Sequence, residues 1–570
     1  MKYTRKKNKC LIILGAGVMQ GPAIIIAKSL GLHTVVLDGS DQAPCIGLAD
    51  QFEKIDLKNK EGIGTFALSI QNSYDKLGIM TAGTDFSASV AWTAERLGLP
   101  GIPYETALNA SDKSRMRECF KKASLPSPDF IIITGSINHE SIRLPFPLVI
   151  KPVDNMGGRG CQRLDNFDEF QKAAKNAIQF SRSGRAIVEE YMDGPEFSVD
   201  AIVYHGEITI CGLADRHIYF PPYFIEMGHT MPTDIKKERQ KELLDTFCAG
   251  VRALGIADDK NIGAAKGDIK LTSKGPVIGE IAARLSGGYM SGWTYPYSSG
   301  VRPIRAAILA AMGEKPDLLS PKKSFTCAER AFISIPGTVK TIDFIPDTSH
   351  KDKKAQRHKV NYEFKTDYIK KQEYVNDVFF RITEGAKVNF PENNVSKCGN
   401  IIASARNRDS AINAAEKAAR SVYIRLDTAD KTTGLFLQET GVSSAFPPDA
   451  FQLTEMQKAA LENIPDIQTE AVKKQINNGY ELSLYPFPAF TESELKDYTG
   501  RSINENLSAI RGLTSLALTI SDERDTDKIT LGRSFWRAFI RGAYQGALYY
   551  IDNLTDCSLI NSRKDAKAQR

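Results

Sequence analysis

The stretch Ala265–Arg284, AKGDIKLTSKGPVIGEIAAR, sets two acids against each other across a short ribbon. No other feature constrains the chain as much. It reads as a β-hairpin, two runs flanking the turn signal Ser273-Lys274-Gly275, with glycine where a positive φ is expected. A turn centred near Lys274 makes Asp268 and Glu280 directly opposed. Such partners lie about 5 Å apart at Cβ, and like charges there destabilise a sheet. Ile269, Leu271, Val277 and Ile281 are expected on the other face, as its buried side. Two acids facing out of a stable hairpin fit a shared divalent cation with hard oxygen ligands, Mg2+ or Mn2+. The competing reading is a solvated surface pair counter-charged by Lys266 and Lys270.

The 570 residues are too many for one core; at about 150 residues per domain, roughly three to five domains are expected. Apolar (42%) and charged (25%) fractions are ordinary for a soluble globular protein. Much of the net charge of +6 sits in the tails Lys2–Lys9 and Arg563–Arg570, and basic and aromatic residues do not alternate. Nucleic acid is therefore not an expected partner. The nine cysteines show no CxxC pair and no regular spacing, which points away from zinc and from a disulfide framework and towards a reducing cytoplasm. Lys6–Lys9 followed by LIILGAG imitates a signal peptide, but Gly15, Gly17, Gln20, Gly21 and Pro22 break its apolar run. No run approaches the ~20 apolar residues of a membrane span.

Residues 11–108 alternate short apolar runs with helical stretches, the pattern of a parallel α/β sheet. Strands are expected at Leu11–Leu14, Val35–Leu37 and Gly78–Ala82, and helices at Pro22–Leu30 and Phe86–Leu97. The turn Gly15–Gly21 approximates a dinucleotide fingerprint, with Asp38 where a ribose-binding acid would sit. Gln20 occupies its third glycine position, so a structural or substrate-facing turn is the reading taken here, with an NAD-dependent dehydrogenase as a competitor. Further on come helices Ser111–Ala123 and Ile235–Leu254, antiparallel strands within 186–214 and 262–284, and a strand-rich 325–427. That region ends in a strand, Asn400–Ala405, and a helix, Asp409–Leu426; its basic insertion Lys351–Lys371 reads as a solvated loop or hairpin. Residues 428–570 differ in character: Thr491–Glu494 matches a capping box, and Ser534–Asp552 an aromatic-rich helix. Phe535, Phe539, Ala543 and Tyr550 share a face of it, expected to serve packing or a subunit contact.

Two further segments carry chemistry. A strand delivers Lys151, and Asn155-Met156-Gly157-Gly158-Arg159-Gly160 follows. Its glycines let backbone N–H groups close on an anion, while Lys151 and Arg159 add charge. It lacks a Walker A tail, and taken alone it also reads as a hairpin turn. Val188–Asp200 brings the acids Glu189 and Glu190 to an Asp-Gly-Pro turn, with Glu196 opening the next strand. By itself this reads equally as a solvated turn.

In the order lysine with glycine-rich loop, acidic strand–turn–strand, then opposed carboxylates before an arginine, residues 10–427 resemble the ATP-grasp superfamily. The segments GAGVMQGPAIIIAKSLG, YFIEMGHTMP and GEIAARLSGGY look most like its L-amino-acid ligases. The resemblance implies an α/β domain over 1–108 and an ATP-grasp fold of two α+β subdomains over 109–324. A small strand-rich domain over 325–427 and a mainly helical extension over 428–570 follow. It implies a cytoplasmic, ADP-forming carbon–nitrogen ligase that joins a small carboxylate, such as an amino acid, to an amine through an acyl phosphate. Small molecules are then the partners, with no nucleic acid and no membrane, and the family admits a homodimer.

Residue by residue, the resemblance gives Lys113 and Lys151 to the phosphates of ATP, with Asn155–Gly160, including Gly157 and Gly158, as a lid. Glu189 would accept from the adenine amino group, the backbone of Glu190 and Met192 would line the base, and Glu196 would take the ribose hydroxyls. Asp268 and Glu280 match the metal-binding acids. Lys266 and Arg284 match bases near the transferred phosphate, and Arg284 could instead clamp the substrate carboxylate. Arg216 is a further phosphate candidate. Beside the aromatic stretch Tyr219–Phe224, Glu226 would meet an ammonium group and His229 the acyl phosphate or attacking amine; a packed histidine is the alternative. One departure matters. The usual Glu-x-Asn reads Glu280-Ile281-Ala282, so a neutral oxygen ligand of a second metal is lost. That substitution keeps a nucleotide-binding protein without turnover among the alternatives, beside a bicarbonate-dependent carboxylase acting through carboxyphosphate.

Overall fold

The computed structural model describes residues 9–136, 140, 142–344, 369–438, 446–466, 472, 481–514, 519–520 and 528–568. Most of the Lys351–Lys371 insertion lies outside them, as do most of the basic N-terminal tail and the side chains of the C-terminal one. The chain divides into two compact units, residues 1–329 with 402–413, and residues 330–401 with 414–570. The expected boundary at 324/325 falls close to that division, while most of the strand-rich region, without 402–413, shares the second unit with the extension.

The first unit begins with a parallel sheet of β1 (Lys9–Leu14), β2 (His33–Asp38), β3 (Gln51–Lys54) and β4 (Lys76–Thr81), in the order β3-β2-β1-β4. Cys10 to Leu14 are all fully buried, because a central parallel strand is covered on both faces and so reads as an unbroken apolar run. α1 (Gly21–Ser29), α2 (Lys60–Gln71) and α3 (Ser87–Leu97) are its helices. The glycine turn after β1 is filled by its own side chain: Gln20 Oε1 accepts from Gly17 N at 3.0 Å and Nε2 donates to Ala82 O. Asp38 braces the turn with one oxygen, which accepts from Ala16 N (2.8 Å), while the other accepts from Ser40 N (2.9 Å) in the loop after β2. This is the structural reading of Gly15–Gly21.

The expected helix Ser111–Ala123 is α5 (Lys113–Lys122), started by the Asp112 side chain, which caps it through Ser114 N and Arg115 N, and a further helix, α4 (Tyr104–Ser111), precedes it. A four-stranded antiparallel sheet follows, made of β5 (Phe130–Ile133), β6 (Leu148–Pro152), β7 (Gln162–Leu164) and β8 (Ala186–Glu190), ordered β5-β8-β6-β7 under α6 (Phe170–Phe180). The larger sheet has eight strands, of which five, all in the first unit, run β13-β12-β9-β10-β11. Its strands are β9 (Glu196–Tyr204), β10 (Glu207–Tyr219), β11 (Ile225–Met231), β12 (Ile262–Thr272) and β13 (Gly275–Ala282). α7 (Lys237–Ala253) covers its apolar face, where Phe247 packs with Phe197, Ile269, Ile278 and Ile281.

The hairpin β12–β13 differs from expectation in one respect. Thr272 pairs with Gly275, so the turn is the two residues Ser273-Lys274, and a bulge at Gly279 restores the register. Ile278, not Val277, therefore joins the buried face; Val277 pairs with Lys270 on the site side.

The second unit holds a sheet in which Gly337–Phe344 lies between Lys387–Val388 and Val422–Leu426. The expected helix Asp409–Leu426 is Arg408–Arg420 followed by that last strand, since Val422 and Ile424 alternate as strand residues do. Within the extension, three short parallel strands (Glu481–Leu484, Thr519–Ile520, Lys528–Leu531) accompany the helices. The terminal helical segment Arg533–Ala568 breaks at Ala543, whose φ is 49°. Gly546 lies just beyond the break, and a Cβ there would come within 2.1 Å of Ala538 O. Phe535, Trp536 and Phe539 are buried against Phe451, Phe487 and Phe490, the packing role expected of that aromatic face. Thr491 does not open a helix. It ends the short helix Pro488–Thr491 and donates its hydroxyl to Phe487 O, whereas a capping box sits at Thr454 and Gln457. Among the described residues no helix is long and apolar enough to cross a membrane.

Candidate active site

One face of the larger sheet carries a grid of charge. Along β9, Glu196, Ser198 and Asp200 stand beside Lys270, Asp268 and Lys266 of β12. Asp268 is in turn directly opposite Glu280, and Lys266 opposite Ala282. Cations offset the repulsion of the opposed acids: Lys266 pairs with Asp268, Arg216 lies 2.9 Å from it, and Lys113 lies 3.7 Å from Glu280. Burial alone would raise the Glu280 carboxyl, but Lys113, Lys266, Lys151 and Arg284 hold it down to about 2. Glu280 is thus an ionised hard-oxygen donor at neutral pH. Among the described residues no three His, Cys, Asp or Glu side chains converge as a metal cage. An opposed pair fits an ion that takes its remaining ligands from water and phosphate oxygens, as Mg2+ does.

The glycine-rich loop and α5 meet this face from the other side. Gly157 and Gly158 have φ of 71° and 75°, which a Cβ would strain. Lys113, at the first turn of α5, donates to Asn155 O at 2.8 Å while facing Glu280, so one buried lysine ties the loop to the hairpin. Lys151 pairs with Glu189 at 2.6 Å. Glu189 is buried, and its other oxygen accepts from Arg117 Nε at 2.8 Å; Arg117 also donates to Gly279 O at 2.6 Å, the bulge carbonyl. Burial would raise the Glu189 carboxyl; Arg117 and then Lys151 hold it below its ordinary value. Glu189 therefore orients Lys151, a role beyond the expected adenine contact. The carbonyl of Met192 accepts from Lys270 at 3.0 Å, and Glu190 faces Asp129 N at 3.4 Å.

Arg216 joins three acids. It pairs with Glu196, lies 2.7 Å from Glu226 and 2.9 Å from Asp268, linking the three positions given to ribose, ammonium and metal. Against burial, Asp268, Glu226 and Glu196 hold it protonated. His229 is fully buried, with Nε2 3.2 Å from Thr294 Oγ1 and Nδ1 3.2 Å from the Glu329 carboxylate. That burial matches the packed reading. The aromatic stretch lies towards the glycine loop instead: Arg163 N donates to Pro222 O at 2.8 Å, and Phe224 stacks with Tyr191. Arg284 is 8% exposed. It donates from Nη1 to Leu285 O at 3.1 Å, and its Nε has no acceptor.

Sequence reading missed Arg117, Glu329 and Asp200. Arg117 had a signal, four residues after Lys113 and so on the same helix face; Glu329 had none, being far away in the chain. Asp200 lies two strand positions beyond Ser198 on the charged face and accepts from Ser286 N (2.9 Å) and Ser286 Oγ. Burial pushes its carboxyl up to about 6, against the pull of Ser286, Lys266 and Arg284.

Residues 144–292 match the family model of the ATP-grasp domain, and residues 365–427 that of the L-amino acid ligase C-terminal domain 2. An uncharacterised protein of Sinorhizobium fredii is 25% identical over 351 residues, 60% of this chain and 71% of that protein. Carnosine synthase 1 of Gallus gallus is 23% identical over 341 residues, 55% of this chain but only 36% of its own length. The crystal structure of L-amino acid ligase from Bacillus licheniformis matches 74% of this chain and all of its own, with a TM-score of 0.60 at 21% identity, a likeness of fold.

Proposed function

We propose that this chain, which belongs to the ATP-grasp superfamily of ligases, joins a small carboxylate to an amine through an acyl phosphate, with an amino acid among its substrates. The observation that carries this reading is the in-register opposition of Asp268 and Glu280 beneath Lys113, Lys151, Lys266, Arg216 and Arg284. Seven charges around one hairpin suit phosphoryl transfer, which asks for placement and neutralisation rather than covalent help from side chains.

Asp268 and Glu280 would hold Mg2+, whose chemistry here is to neutralise phosphate oxygens. Lys113 and Lys151 bind the phosphates under the loop 155–160, and Glu189 with Arg117 fixes where Lys151 points. Glu196 takes the ribose, and the backbone at Glu190 and Met192 lines the base. The substrate carboxylate oxygen bonds to the γ-phosphorus as the bond to ADP breaks; Lys266 and Arg284 balance the charge that develops. The amine nitrogen then bonds to the acyl carbon, phosphate leaves, and the amine proton passes to solvent or phosphate. Glu226 receives an ammonium group when Arg216 yields it, and His229 braces Glu226 from behind. The reading includes a cytoplasmic setting, small-molecule partners only, and a homodimer, motivated by the cysteine pattern and by the dimer of a structurally similar biotin carboxylase domain.

The test is phosphate and ADP release by pure protein with ATP and Mg2+ over pairs of amino acids. Release of AMP would refute the acyl-phosphate route. Bicarbonate dependence of ADP release would favour the carboxylase instead. A specific observation keeps a second reading: Ala282, buried opposite Lys266, offers no oxygen to a second metal. Tight nucleotide binding with no turnover for any acceptor would select that non-catalytic protein. The dehydrogenase is disfavoured, because Asp38 and Gln20 are spent on the turn itself and, for one Asp38 oxygen, on the loop after β2.

A further inference from the structure

The charged face around the hairpin is rich in acids but poor in oxygens that a cation can still take. Glu196 is paired with Arg216, and Asp200 accepts from both Ser286 N and Ser286 Oγ. Ser198 Oγ donates to Asp268 Oδ1 at 3.2 Å, so that hydroxyl is engaged as well. Asp268 Oδ2 faces two cations, Lys266 and Arg216. Glu280 is more open: its side chain is 31% exposed, and Lys113 is its one ion pair among the described residues. One step further along this face of β13 stands Ala282, 3% exposed and without an oxygen.

Across the hairpin Ala282 is directly opposed by Lys266, which on its other side is in register with Asp200 of β9. The Lys266 side chain is 14% exposed and closes on Asp268. After Lys113, its charge does most to hold the Glu280 carboxyl down. A single ammonium thus stands among three carboxylates, in the row where β13 offers only a methyl group. Mg2+ and Mn2+ need hard oxygen ligands. A second dication in this row would find no free protein oxygen and would be repelled by a fixed cation. The ammonium meets the same electrostatic demand without ligands, as a compact charge with donors for carboxylate and phosphate oxygens.

We propose that the hairpin holds one divalent cation, not two, at Asp268 and Glu280, and that Lys266 supplies, beside Ala282, the charge of a second. The inference rests on the ligase reading, which brings nucleotide phosphates to this face. Ala282 and Lys266 act as a unit: an oxygen restored at position 282 recruits no ion while the ammonium remains. Ala282 then removes an ion without stripping the phosphates of positive charge.

The experiment counts Mn2+ on the full chain at saturating β,γ-methylene-ATP, by equilibrium dialysis against the analogue alone. Electron paramagnetic resonance reads the bound ions. Wild type is expected to hold about one Mn2+ per chain with the spectrum of an isolated ion, and Ala282→Asn the same. Lys266→Ala combined with Ala282→Asn should hold about two, roughly 4 Å apart and therefore spin-coupled. Lys266→Ala alone should bind the analogue about tenfold more weakly, having lost a charge-assisted contact. Two ions in wild type or in Ala282→Asn overturn the proposal. So does a single ion in a double variant that is folded by circular dichroism, or an unchanged analogue affinity in Lys266→Ala. If the double variant does not fold, the wild type and the two single variants decide. One bound ion without phosphate release for any amino-acid pair upholds the metal count and removes only the ligase reading. No bound Mn2+ removes both.

Discussion

Both units bury charge, and they do so in different ways. In the second unit Arg425 and Arg541 close on partners fixed by packing, although the Nε of buried Arg501 lacks an acceptor. Arg425 forks onto both oxygens of Asp552, and Arg541 donates to Pro447 O (2.7 Å), Asp449 (3.0 Å) and Phe436 O (3.2 Å). In the first unit the charges are shared. Arg216 divides itself among three acids, Lys113 between a carbonyl and a carboxylate, and Arg284 keeps an unanswered Nε. Bidentate, saturated pairs specify a fold. Shared and unsaturated ones leave room for ligands to complete them. The shared charges on the sheet face of the first unit are the ones a ligand could complete, while the apolar side chains of the extension pack on one another.

The largest test falls on the opposed acids. Asp268→Asn and Glu280→Gln should each cut phosphate release by about a thousandfold, since each removes charge at the centre of the grid. Thermal unfolding should change less than for the buried pairs below, because relieving a cross-strand like-charge pair offsets part of the pairing lost with Lys113, Lys266 and Arg216. Unchanged turnover in both variants would erase the contrast between the units.

Next come the buried pairs. Arg117→Ala leaves Glu189 buried with Lys151 as its remaining cation and should cost about 4 kcal/mol in urea unfolding. It should also weaken ATP binding, because Lys151 loses its fixed partner. Asp552→Asn in the second unit should cost about 3 kcal/mol and leave ATP affinity unaltered. If the second variant also lowers nucleotide affinity, the extension does more than pack.

What the sequence made legible was local, and what it hid was distant. The opposition of Asp268 and Glu280 was readable from one turn, yet it holds through two compensating features, a tighter turn and a bulge at Gly279. The second moved Ile278 into the core in place of Val277. The lysine and glycine loop was legible because its chemistry lies within ten residues. Arg117 and Glu189, 72 positions apart, meet only once α5 and β8 are placed. Thr491 failed for a physical reason: Phe487-Pro488 starts a helix earlier, so the threonine falls at its end. Short parallel strands such as Thr519–Ile520 carry no period of their own and depend on partners elsewhere in the chain.

The smallest effect is the most selective for how the first unit tolerates charge. The Asp200 carboxyl rises from 3.8 to about 6 with burial, so the native state holds its proton more tightly than the unfolded chain does. Stability should therefore fall as pH climbs from about 4 to about 6, by roughly 2 to 3 kcal/mol, and lose nothing more from this group above that. Asp200→Asn removes the titration but keeps the geometry: Oδ1 can accept from Ser286 N, and Nδ2 can donate to Ser286 Oγ, since a hydroxyl serves either way. Urea midpoints measured between pH 4 and 7 should show the wild type losing stability relative to this variant across that window. Parallel curves would mean that Lys266 and Arg284 already keep Asp200 ionised at pH 4, and the charge grid would then extend one full row beyond the opposed acids.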